Sequence, residues 1–181
     1  GFTILSFTNR PPDPMLEGWI FASAIGARTE KLKLTFTTLN VPFRNPALTA
    51  KMAATLDFIT GGGRVELTLG SGGQPNAKHY SSYRIRFGDA GERFNGLRDA
   101  VTIMRGLWAN ETFSYSGPVY QVDDASMGVR SASGAIPIWI GALGPRMIRY
   151  TGRHSGGWMK NVGWPGATAE LRGLVQILDS S

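Results

Sequence analysis

Apolar residues follow two alternating patterns along this chain: short continuous runs, and longer stretches in which they recur at helical spacing. The first run, Phe2 to Phe7, reads as a buried strand. Asp13-Pro14 is a helix start, an N-cap residue followed by Pro at the first helical position. The helix it predicts runs to about Arg28, with Leu16, Ile20, Ala24 and Ala27 on one face. Lys31 to Leu39 is rich in β-branched residues and reads as a second strand. Asn45-Pro46 repeats the start signal for a helix to about Phe58, which the glycines at 61–63 end. Arg64 to Leu69 is a third strand, followed at once by Gly70-Ser71-Gly72-Gly73. Residues 74–88 are polar and irregular and read as an insertion or lid.

From Asp89 to Trp108, the spacing of Phe94, Leu97, Val101, Met104 and Trp108 predicts a strong helix. Residues 112–122 alternate weakly, as a hairpin does. Pro137 to Ile140 is a fourth main strand, and Gly144-Pro145 opens a helix to about His154. Gly157 to Lys160 gives a fifth strand and Thr168 to Leu178 a last helix. Strands alternating with helices imply a parallel sheet with helical crossovers. A complete eight-fold barrel takes about 250 residues, and this chain has 181. The expected fold class is therefore α/β: an incomplete (β/α)8, TIM-barrel-like domain over residues 1–181, with about five to six βα units. The chain opens at Gly1-Phe2-Thr3, already inside a strand pattern, as a fragment or a processed product would.

Composition narrows the chemistry. There is no cysteine, which removes disulfides, thiolate metal sites and a Cys nucleophile. The net charge of +6 suits an acidic ligand such as a phosphorylated cofactor, or a solvated basic surface. The Lys and Arg residues are spread without a dense run or a binding module, which argues against nucleic acid. No apolar run reaches the roughly 20 residues that span a bilayer. No signal-peptide pattern is present either, so the expected setting is cytoplasmic, with no membrane partner. Metal-ligating motifs and the nucleophile elbow are absent.

In barrels and open α/β sheets, ligands bind at the C-terminal ends of the strands. The candidates are therefore Thr8-Asn9-Arg10, Thr37 to Asn40, Gly70 to Asn76, Gly141 to Arg146 and Lys160-Asn161. In Ile138 to Arg146 a strand runs through a Gly-containing turn into a helix N-terminus. Free N–H groups and the helix dipole favour a phosphate there, or the glycines serve only the turn. Gly70 to Gly73 follows its strand in the same way, and a flat ring could lie against it. His79 and His154, the two histidines, read as surface or packing residues.

Several segments together resemble the luciferase-like family of flavin- or deazaflavin-dependent oxidoreductases. They are Asn45 to Asp57, Gly62-Gly63-Arg64, Leu69 to Gly72, Gly91 to Phe94 with Leu97 and Ala100, and Ile136 to Arg146 with Gly156-Gly157-Trp158. The resemblance implies a (β/α)8 barrel holding FMN or the deazaflavin coenzyme F-420 (F420). It also implies hydride transfer or oxygenation of a small-molecule substrate, and a homodimer. The IGALGP variant is most similar to the deazaflavin branch. By the same resemblance Gly141, Ala142, Leu143, Gly144 and Arg146 would hold the cofactor phosphate. Thr37 and Thr38 match a strand-end bulge behind the ring, often with a non-proline cis peptide, and Gly72, Gly73 and Asn76 a loop beside it. No metal and no catalytic residue is assigned, because Asn9-Arg10 stands where the family often has Asp-His. The alternative is a cofactor-binding protein without turnover.

Overall fold

The structure is a computed structural model, and it describes residues 2–5, 16–73, 77–160 and 169–181. Five strands form one parallel sheet: β1 (Phe2–Leu5), β2 (Lys33–Asn40), β3 (Val65–Gly70), β6 (Ile138–Gly141) and β7 (Gly157–Met159), in the order β1-β2-β3-β6-β7. Helices follow them: α1 (Gly18–Arg28), α2 (Pro46–Ile59), α3 (Ala77–Ser82), α4 (Ala90–Ala109), α5 (Pro145–His154) and α6 (Ala169–Asp179). The hairpin β4 (Phe113–Ser116) and β5 (Gln121–Ala125) stands apart as a two-stranded antiparallel sheet. This is a partial barrel-type α/β fold of five βα units, matching the expected alternation.

Side chains alternate across the sheet with period two. Leu34 and Phe36 of β2, Leu67 and Leu69 of β3, and Ile138 and Ile140 of β6 point to one face and are at most 2% exposed. The helices cover that face. α2 brings Ala50, Ala53 and Ala54, and α4 brings Leu97, Val101, Ile103 and Met104. The α2 alanines are small enough for the helices to approach closely, and Trp108 Nε1 of α4 donates to the Ala50 carbonyl at 3.1 Å. Burial on this scale contributes about 25 cal/mol per Å² of apolar surface removed from water. The opposite face carries Thr35, Glu66 and Thr68.

Local signals set the helix ends. Asn45 caps α2 by accepting from the Ala47 N–H, with Pro46 at the first position. Asp89 and Glu92 form a reciprocal capping box on α4. Asp99, 1% exposed, ties the hairpin to α4 by accepting from the Tyr115 hydroxyl and the Val119 and Tyr120 N–H groups.

Two expectations are corrected. Helix α1 is capped by Glu17, not Asp13, and Asp13-Pro14 lies outside the described residues. Its buried face is Trp19, Ala22 and Gly26, while Leu16 and Ile20 are 68% and 74% exposed. Trp19 packs against Phe36 with ring centroids 4.5 Å apart and the rings tilted, so the bulkiest ring decides which face turns inward. Residues 77–82 are helix α3 rather than irregular chain, and its Tyr80 is fully buried. Among the described residues no helix is long and apolar enough to cross a membrane.

Candidate functional site

Because the five strands are parallel, their C-terminal ends lie on one edge. A pocket of about 270 Å³ opens there, near the lower end of the roughly 300–1,000 Å³ range of ligand sites. Thr38 and Asn40 line it from β2, and Gly70 to Gly73 from the end of β3 and its loop. Gly141 to Gly144 line it from β6 and its turn, Met147 from α5 and Met159 from β7.

The β2 wall has a local irregularity. The register with β3 shifts between Phe36 and Leu39, and the Thr37-Thr38 peptide bond is cis, as the resemblance implies. Thr38 then packs into space that glycines leave open. A β-carbon on Gly70 would stand 2.7 Å from Thr38 Oγ1, and one on Gly141 would stand 2.8 Å from Thr38 Cγ2. Side chains at 70 or 141 would therefore displace the pocket wall.

The β6 side ends in a helix start without a polar lid. Gly144 is the N-cap of α5, with Pro145 next, no side-chain cap and no acid in the first turn. The N–H groups of Arg146 and Met147 have no partner inside the helix. Together with the dipole they make this end of the pocket favourable to an anion. The turn is held in place by two bonds: Ala142 N–H donates to the Met159 carbonyl at 3.2 Å, and Trp158 Nε1 donates to the Ala142 carbonyl at 2.9 Å.

The third wall is the Gly70 to Gly73 loop. Gly72 has φ +79°, a left-handed conformation that suits glycine. Behind it lies the α3 side chain Tyr80, stacked on Phe43 at 4.5 Å and packed against the tilted ring of Phe87 at 4.8 Å. Burial pushes the Tyr80 phenol up to about 12, partly opposed by the Arg93 charge.

Of the residues singled out in the sequence, Thr38, Gly72, Gly73, Gly141, Ala142, Leu143 and Gly144 come together in the pocket. Thr37 contributes to the cis bond but does not line it. Arg146 turns away: its guanidinium sits 3.9 Å from the Phe94 ring centroid, a cation–π contact on the outer surface. Asn76, Thr8-Asn9-Arg10 and Asn161 lie outside the described residues. His154 packs against Tyr150 at 4.6 Å, in line with a packing role. Met147 and Met159 were missed. Met147 lies in the first turn of α5, next to the Gly141 to Arg146 candidates, and Met159 is the last residue of β7, so their position at the strand ends is the signal that could have found them. Among the described residues no group of His, Asp or Glu side chains could hold a metal.

Comparison with known proteins is decisive for the family. The model described as luciferase-like monooxygenase matches residues 3–173. The chain belongs to the luciferase-like monooxygenase family. An F420-dependent glucose-6-phosphate dehydrogenase of Nocardia farcinica (strain IFM 10152) is 37% identical over 147 residues, covering 81% of this chain and 42% of that protein. Among solved structures, monooxygenase RslO1 from Streptomyces bottropensis superposes with TM-score 0.79 at 20% identity, over 99% of this chain and 53% of that one. An F420-dependent secondary alcohol dehydrogenase in complex with an F420-acetone adduct gives TM-score 0.76 at 20% identity, over 98% and 55%. The luciferase-like chain thus spans about half, or less, of each relative's length.

Proposed function

We propose that this protein is an oxidoreductase that holds coenzyme F420, or in its place FMN, in the pocket at the strand C-termini. The observation that carries the reading is the pairing, in one pocket, of glycine-faced strand ends with an uncapped, acid-free helix start. The kinship with an F420-dependent dehydrogenase at 37% identity favours the deazaflavin over FMN.

The residues fit such a group. Gly144 and the N–H groups of Arg146 and Met147 would hold its phosphate. Gly70 and Gly141 admit the Thr38 side chain, which lines the pocket as a wall against which a flat ring can lie. Met147 and Met159 provide an apolar wall that excludes water from the ring. When bound, the cofactor supplies the hydride chemistry, while the protein orients and shields it. The substrate is a small molecule that donates or accepts hydride.

Fluorescence titration of the purified full-length protein with F420 and, separately, FMN tests the reading. Saturable binding of F420 is the expected result. Binding of FMN alone would select the flavin branch. A folded protein that binds neither would overturn the proposal.

A further inference from the structure

A second cavity of about 270 Å³ shares no lining residue with the strand-end pocket. Two rings stand between them: Tyr80, packed to contact with Gly72 of the first pocket, and Phe87, which faces Arg93 of the second. The second cavity is walled by the 3-10 turn Val41–Phe43 after β2, by residues 85–88, by the start of α4 and by the turn of the β4–β5 hairpin. Val41, Pro42, Ile85 and Val119 give it apolar sides, and Val119 stays exposed at the rim.

One charge on its wall has no counter-charge. Arg93 Nη1 donates to the Gly88 carbonyl at 2.6 Å, and the guanidinium lies 4.4 Å from the Phe87 ring centroid, so the group is fixed in place. Among the described residues Nε is buried without an acceptor, none accepts from Nη2, and no carboxylate pairs with Arg93. The acids nearby are engaged elsewhere. Glu92 pairs with Arg86 at 2.6 Å, and Asp89 accepts from the Glu92 N–H at 2.9 Å at the start of α4. Arginine only donates and stays protonated, so the sign of a complementary group is not in question.

We propose that this cavity binds a small carboxylate with a compact apolar body, its carboxylate on the Arg93 guanidinium and its body against Val41, Pro42 and Val119. A fixed guanidinium gives a charge-assisted hydrogen bond without first losing side-chain freedom. The apolar walls add the burial of the body, which a bare inorganic anion lacks. The occupant is a molecule other than the cofactor, and the site stands whichever cofactor the strand ends hold.

Benzoate is the probe, and benzamide, of the same shape without the charge, is the control. Dissociation constants for the full-length protein come from ligand-observed NMR titrations, with melting temperatures in parallel. The expected result is saturable binding of benzoate, with benzamide roughly ten-fold weaker or worse. Arg93→Met keeps the apolar stem against Phe87 and removes the charge, and it should abolish the preference for benzoate. If that variant does not fold, Val119→Glu at the exposed rim adds a negative charge at the mouth. It should weaken benzoate roughly ten-fold at a melting temperature near wild type. Benzoate bound no better than benzamide, or bound equally by wild type and the folded variants, would overturn the proposal and leave the cofactor reading untouched.

Discussion

The Tyr80 hydroxyl stands 2.5 Å from the point that a β-carbon on Gly72 would occupy, so α3 and the pocket loop are packed to contact. The left-handed backbone at Gly72, φ +79°, adds a second demand for glycine. Gly72→Ala is expected to destabilise the protein by about 1–3 kcal/mol through strain and overpacking. It should also weaken cofactor binding by moving the loop. Urea unfolding with a parallel titration checks this, and an unchanged midpoint would show slack behind the loop.

The same hydroxyl is buried without a hydrogen-bond partner among the described residues. Removing an unpaired buried polar atom relieves its desolvation cost, so Tyr80→Phe should stabilise the fold by about 1 kcal/mol. The phenol is held neutral up to about 12 in the folded state, against an ordinary value of 10.0. The unfolded chain therefore loses this proton first as pH rises. The phenol adds no pH dependence below pH 10, and from there to about 12 it lowers stability progressively. Stability curves across that window should fall less steeply for the Phe variant.

Asp57 is fully buried near the end of α2. It accepts from the Gly63 N–H and from the hydroxyls of Ser131 and Ser133 and the Ser133 N–H, joining segments 76 residues apart. Burial pushes its pKa up, but the bonds from Ser131, Ser133 and Gly63 outweigh it, and the net shift is downward. The lowered pKa means this contribution is present above the unfolded value and lost as pH falls through the folded one. Asp57→Ala should cost about 2–4 kcal/mol at neutral pH. It should also flatten the acid limb of the stability curve, measured by denaturant melts below pH 5.

Gly144 offers a variant whose two effects oppose each other. Nothing lies within 4 Å of a β-carbon there, and its backbone is extended. Gly144→Asp supplies α5 with a side-chain cap, which should raise stability by a few tenths of a kcal/mol. It also places a negative charge where the cofactor phosphate is proposed to sit, so the dissociation constant should rise at least ten-fold. Thermal melts and titration of one sample separate the two, and unweakened binding would move the phosphate elsewhere.

Much of the fold was legible locally. The stripe of Leu97, Val101 and Met104 is the buried face of α4, and Asn45-Pro46 is the start of α2. The Gly141 to Gly144 turn and the Gly72-Gly73 loop were also marked by sequence, and they line the pocket. Helix α1 was misread because it carries apolar residues on two faces. The buried one includes Gly26, whose bare backbone admits Leu34 and Thr60 from outside the helix. Tyr80 was hidden for a related reason. In the polar run 74–88 nothing local separates Tyr80 from Tyr83, which is 65% exposed, and the burial of Tyr80 comes from Phe43 and Phe87.

By itself the sequence determined the kinds of element, their order and most of their ends. Capping, turn formation and side-chain periodicity act over a few residues and need no partner. The tertiary structure decided which face of α1 is inside, that β3 neighbours β6 across the intervening hairpin, and that Asn40, Met147 and Met159 meet the glycine turns in one pocket. Burial and pocket formation depend on surfaces brought together from distant parts of the chain, and no local pattern encodes which surfaces will meet.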